Sequence, residues 1–172
     1  RYIEVAGRQV KNARVVEEHD CLAQLRDLLH QHGVRRLYVE DEVSVAYAGR
    51  LQAALGEVEL DLTPTLSEAI RALRVIKDPE ELERMRSAQK LTDECFTHIC
   101  GKIRPGVREN DLALEMETFM RSRGADGVAF PIICIGGPNT SMPHGVPGQR
   151  RVQEGDFVTM DYGARWGGYC AD

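Results

Sequence analysis

The sequence predicts an α+β protein in two parts, a small α/β unit over residues 1–63 and a longer mixed segment over residues 64–172. Three observations carry this. Strand-like and helix-like runs alternate through the first part, the pattern of a strand–helix–strand unit. A short helix and then two longer amphipathic helices open the second part. Short apolar runs separated by Gly and Pro then close it, and two of these runs end on aspartates, Asp161 and Asp172.

Residues 1–16 read as strand, with Tyr2, Val5, Val10, Val15 and Val16 between polar residues. A helix is expected from about Glu18 to Gln31, because Leu22, Leu25, Leu28 and Leu29 recur at helical spacing before Gly33. Val34 to Glu40 reads as strand, Ser44 to Leu55 as helix and Val58 to Leu62 as strand. Pro64 marks the boundary, and a short helix follows from about Leu66 to Ile76.

Asp78-Pro79-Glu80-Glu81 carries a helix start: an N-cap, a proline at the first helical position and a capping-box glutamate. This helix is expected to reach about Ile103, with Leu82, Met85, Ala88, Cys95, Phe96 and Ile99 as its buried stripe. Pro105-Gly106 stops it. A further helix from about Glu109 to Arg123 presents Leu112, Leu114, Met116, Phe119 and Met120. Phe130 to Ile135 is apolar enough for a buried strand.

The remaining stretch carries the chemistry. A loop rich in Pro and Gly presents His144, and Phe157 to Met160 then reads as a strand ending on Asp161. A Gly-rich turn region, Gly163 to Gly168, leads to a second short run ending on Asp172. With the turn centred at Trp166-Gly167, a hairpin sets Asp161 directly opposite Asp172. Like charges in that position repel, so a proton or a cation between them is expected. Paired carboxylates can bridge two divalent ions, as in two-metal hydrolases. The competing structural reading is simpler, since Asp is common beside Gly-rich turns.

Composition narrows the function. The net charge is −5 with no basic stripe, which disfavours a nucleic-acid binder. No apolar run approaches the roughly 20 residues needed to span a bilayer, so no membrane partner is expected. The five cysteines form no C-x-x-C pair and suggest free buried thiols in a reducing cytosol, hence a cytoplasmic protein. Strand alternation puts Cys170 on the face of Asp172, where it could neighbour a metal. His19, His30, His32 and His98 read as surface or packing residues.

The run H-G-V-P, followed by E-G-D-F-V-x-M-D-Y-G and then G-Y-x-x-D, resembles the metallopeptidases of the pita-bread fold, and most closely aminopeptidase P and prolidase. Arg1-Tyr2-Ile3-Glu4 and the I-K-x-x-E-E stretch add to the likeness. The resemblance implies the end of a creatinase/prolidase-type N-terminal domain over residues 1–63 and the first half of a pita-bread catalytic domain over residues 64–172. It implies that Asp161 and Asp172 are metal ligands and that His144 is a catalytic residue on the substrate side. Two divalent ions are implied; Mn²⁺ suits an oxygen-rich site with a histidine, with Co²⁺ and Zn²⁺ as alternatives. The implied activity is hydrolysis of the bond before proline, on peptides with proline at the second position. The family's remaining ligands, one His and two Glu, and a homodimeric state are expected of the intact protein, and the chain alone is expected to be inactive. Non-catalytic pita-bread binding modules and creatinase are the alternatives. The retained Asp161 and Asp172 argue against both. Methionine aminopeptidase is disfavoured by Pro143, where that family has a cysteine.

Overall fold

The computed structural model describes residues 2–172. Arg1, the first residue of the R-Y-x-E likeness, lies outside the described residues. Two compact units divide after Ile76, so the helix that follows Pro64 groups with the first unit.

The first unit holds α1 (Tyr2–Gln9), α2 (Cys21–Gln31), β1 (Arg36–Tyr38), α3 (Val45–Leu55), β2 (Glu59–Asp61) and α4 (Thr65–Val75). β1 and β2 pair in parallel, Arg36 to Glu59 through Tyr38 to Asp61, with α3 as the crossover. Leu29, Leu51, Leu55 and Val58 form the core between helices and strands. Asp20 and Ser44 cap α2 and α3 through their side-chain oxygens.

The start of the chain is helical rather than extended. A strand needs a ladder partner for its N–H and C=O groups, and none pairs with it among the described residues. A helix satisfies its own backbone, and Tyr2, Val5, Ala6 and Gln9 fall at helical spacing. α1 buries no residue.

The second unit opens on α5 (Pro79–Cys100), which carries the expected capping box in full: Asp78 accepts from Glu81 N, and Glu81 accepts from Asp78 N. α6 (Glu109–Ser122) follows. β3 (Gly127–Val128), β6 (Ala164–Trp166) and β7 (Tyr169–Cys170) form one antiparallel sheet. β4 (Ile133–Gly136) and β5 (Val158–Asp161) form another. A 3₁₀ turn, Gly137–Ser141, follows β4. Leu91, Cys95 and Ile99 of α5 pack with Leu112, Met116 and Met120 of α6 beneath Cys134, Val152, Tyr162 and Ala164.

Three expected core positions are exposed instead: Leu82 at 38%, Phe96 at 51% and Leu114 at 65%. On α5 the buried face is completed by Leu91 and Thr92, not by Leu82 or Phe96. The apolar run at Phe130 is strand only from Ile133, and the Gly163–Gly168 region holds β6 rather than turn alone. Of the cysteines, only Cys95 and Cys134 are buried. Burial pushes their thiols up to about 11 and about 12, respectively, which keeps them protonated and inert.

Candidate metal and substrate site

The two aspartates reach one place by a route different from the expected hairpin. The β6–β7 ladder pairs Arg165 with Cys170 and Trp166 with Tyr169, so its turn lies at Gly167-Gly168. Ala171 N donates to Ala164 O at 2.9 Å, and one further step along that ladder brings Asp172 beside Gly163, not Asp161. Asp161 pairs instead with Ile133 in the other sheet. The expectation of two carboxylates directly opposed on one ladder is therefore wrong in register. The sequence offers three adjacent glycine-containing steps in which the turn could form, and strand alternation alone does not choose between them.

The two residues still converge, because residues 161 and 163 lie on the same side of an extended strand. Gly163 is what makes the approach possible. A Cβ there would lie 1.8 Å from Ala171 O and 2.6 Å from its carbonyl carbon, so only glycine lets the segment carrying Asp172 pass so close to the one carrying Asp161. Behind this crossing, Thr92 of α5 holds β6. Its Oγ1 accepts from Ala164 N at 3.0 Å, while the hydroxyl of Tyr162 donates to Thr92 O at 3.3 Å. Burial holds the Tyr162 hydroxyl above its ordinary pKa.

A cavity of about 470 Å³ is lined by Asp161, Asp172 and His144, together with Phe130, Pro131, Ile132, Ile133, Val146 and Pro147. The three residues singled out in the sequence thus come from three separate segments and share one pocket. Its wall is apolar because Phe130, Pro131 and Ile132 line it. These residues bulge between the β3–β6 and β4–β5 ladders, where the run 127–136 is longer than its partner. Cys170 does not line the pocket; it is exposed on β7.

His144 sits in the segment after the 3₁₀ turn, where Gly145 N donates to Met142 O at 3.1 Å. A Cβ at Gly145 would meet Ile135 Cδ1 at 2.5 Å, so this glycine lets the loop lie flat on β4. Glu109 anchors the loop. It is 1% exposed, and its Oε1 accepts from Gly136 N at 2.8 Å and Asn139 Nδ2 at 3.0 Å. Its Oε2 accepts from Gly148 N at 3.0 Å. Sequence reasoning missed this role; the signal that could have raised it is position, since residues 109, 112, 116 and 120 share the buried face of α6.

Outside the pocket, Tyr169 Oη donates to Glu81 Oε1 at 2.6 Å. The capping box of α5 is thereby joined to β7, three residues before Asp172. The Tyr169 hydroxyl, followed by the Asp78 amide, holds the Glu81 carboxyl below its usual range. His98 hydrogen-bonds Glu115 Oε1 at 2.7 Å and stacks on Phe119, away from the pocket.

The donor chemistry suits a divalent ion in part. Asp161 and Asp172 carry hard carboxylate oxygens of the kind divalent ions favour, and neither has an ion-pair partner among the described residues. No group of three or more His, Cys, Asp or Glu side chains able to hold a metal occurs among the described residues. Two carboxylates alone make an incomplete site.

An α+β unit that brings two carboxylates and a histidine to one pocket fits the class the sequence resembles, the pita-bread metallohydrolases. The sequence model of metallopeptidase family M24 matches residues 83–172, and the chain belongs to that family. It is 36% identical to the uncharacterised peptidase YqhT of Bacillus subtilis over 100% of this chain and 48% of that protein. It is 34% identical to the Xaa-Pro dipeptidase of Pyrococcus furiosus over 62% of this chain and 31% of that protein. Among solved structures, an Xaa-Pro dipeptidase from Bacillus anthracis superposes with a TM-score of 0.89 at 32% identity. That match covers 99% of this chain and 47% of the other. Prolidase from Pyrococcus furiosus superposes at 0.85 and 26% identity, covering 98% of this chain and 51% of the other. The fold is thus the pita-bread α+β fold, and the chain spans between 31% and 51% of the length of these relatives. No helix among the described residues is long and apolar enough to cross a membrane.

Proposed function

We propose that the protein carrying this chain hydrolyses the peptide bond before proline, using divalent metal ions held in part by Asp161 and Asp172. The observation that carries the proposal is the convergence of Asp161, Asp172 and His144, from three separate segments, on one pocket. The names of the similar dipeptidases and prolidase support proline at the second position of the substrate. When bound, the ions supply an activated water and a Lewis acid. Mn²⁺ suits this donor set, with Co²⁺ and Zn²⁺ as alternatives. A metal pair needs more ligands than two carboxylates, so the activity belongs to the polypeptide in which these residues are joined by the others.

His144 has the complementary part. Its ring, placed by a loop that lies flat on β4, donates a hydrogen bond to the scissile carbonyl oxygen as negative charge develops there. The apolar wall at Phe130, Ile132, Ile133 and Val146 excludes water from the substrate side chain and strengthens that interaction.

The test is a hydrolysis assay on matched Xaa-Pro and Xaa-Ala dipeptides with and without a chelator. Cleavage of the proline peptide alone, lost on chelation and restored by Mn²⁺, is the expected result. Equal cleavage of both peptides would refute the substrate, and activity that survives metal removal would refute the metal.

A further inference from the structure

We propose that Glu109 is the positioning residue for His144: a buried carboxylate that closes both ends of the 137–147 loop and holds it on the sheet carrying Asp161. The proposal rests on the role of His144 given above. At the start of the loop, Glu109 Oε1 receives the Gly136 amide and the Asn139 side chain; at its end, Oε2 receives the Gly148 amide. Gly136 is also the last residue of β4, whose partner strand ends on Asp161. One side chain therefore fixes the loop's two ends to each other and to the strand of a proposed metal ligand.

The chemistry of this clamp requires a carboxylate. Three N–H donors point at two oxygens, and a carboxylate is acceptor-only. An amide in the same place turns an NH₂ group toward one of those donors and loses one end of the loop. The buried negative charge is compensated by the three donors, by its place in the first turn of α6 and by Arg150 nearby. Arg150 is itself paired with Asp156 at 2.8 Å. The backbone completes the seam: Glu109 N donates to Arg150 O at 3.0 Å and Asn110 N to Gly148 O at 3.1 Å. These bonds survive a change of the side chain, so Glu109→Gln should loosen the loop without unfolding the unit.

The experiment is a double-mutant cycle with amide hydrogen exchange on the full-length protein. Glu109→Gln should lower kcat on an Xaa-Pro dipeptide by about 10- to 100-fold, the order expected when a reacting group moves by roughly 1 Å. KM should change by less than about 2-fold and the bound metal not at all. The Gly136 and Gly148 amides should exchange faster while the α5 amides do not. Because Glu109 acts through His144, adding Glu109→Gln to His144→Ala should cost no further activity. Multiplicative losses in the double variant, unchanged exchange at Gly136 and Gly148, or equally faster exchange in α5 would each overturn the proposal. If Glu109→Gln does not fold, Asn139→Ala removes one donor at the loop's edge and enters the same cycle, with the same sign and a smaller loss. Should the wild-type protein not cleave Xaa-Pro peptides, the functional reading fails. The exchange at Gly136 and Gly148 still decides whether Glu109 is the clamp.

Discussion

Replacing Gly163 with alanine should damage the site more than any other single methyl group added to this unit. The residue's φ is not positive, so alanine meets no backbone strain there, and the effect is purely steric. The new Cβ would stand 1.8 Å from Ala171 O, a backbone atom that no rotamer change can move. Restoring ordinary contact requires the two segments to part by about 1.5 Å. Overpacking of this kind costs about 1–3 kcal/mol. Parting the segments also breaks the bond from Ala171 N to Ala164 O, worth about 1 kcal/mol. A loss of about 2–4 kcal/mol is expected in urea unfolding. Because Asp161 and Asp172 flank the crossing, activity should fall at least about 100-fold even at temperatures where the variant is folded. Gly168→Ala is the control. It has a positive φ of 83° but open space around it, so it should cost about 1–2 kcal/mol in strain and leave activity nearly intact. A Gly163→Ala protein with wild-type urea midpoint and activity would refute the close-crossing geometry.

Other consequences follow from the residues that brace the site. Thr92→Val should leave the buried Ala164 N–H without its acceptor and cost about 1–3 kcal/mol in urea unfolding, whereas Thr92→Ser keeps the acceptor and should cost about 1 kcal/mol or less. Glu81 has a depressed carboxyl pKa in the folded state, chiefly because Tyr169 donates to it. Its contribution to stability is therefore fully present above the ordinary value of 4.5 and is lost as pH falls through the lower folded value. Tyr169→Phe should flatten the fall in melting temperature between about pH 5 and pH 3, and a profile parallel to the wild type would contradict the link. His144→Ala should lower kcat by about 10²–10³, the range for loss of one oxyanion donor, with KM little changed in steady-state kinetics.

Much of this molecule was legible in its sequence, and the exceptions have physical causes. The capping box at Asp78–Glu81, the span of α6 and the strand ending on Asp161 follow from local signals, so they stand where the sequence placed them. Asp161, Asp172 and His144 were singled out chiefly by the resemblance to the pita-bread metallopeptidases, and the structure brings the three to one pocket. What failed depended on partners far along the chain. The opening segment has β-branched residues but no ladder partner among the described residues, and Tyr2–Gln9 forms α1. The hairpin register slipped because several glycines could host the turn, and Asp161 found its partner in Ile133 across a different sheet. Glu109 and Thr92 went unnoticed because single polar residues on an apolar helix face carry no local mark of what they bind.

The division of labour between carboxylates and histidine is tested most directly by metal analysis on Asp161→Ala, Asp172→Ala and His144→Ala proteins, with kinetics on an Xaa-Pro dipeptide from the same preparations. If Asp161 and Asp172 are ligands and His144 faces the substrate, both aspartate variants lose bound metal and activity together. His144→Ala then keeps its metal and loses activity alone. Metal lost with His144, or full metal content and activity in either aspartate variant, would contradict the site described here.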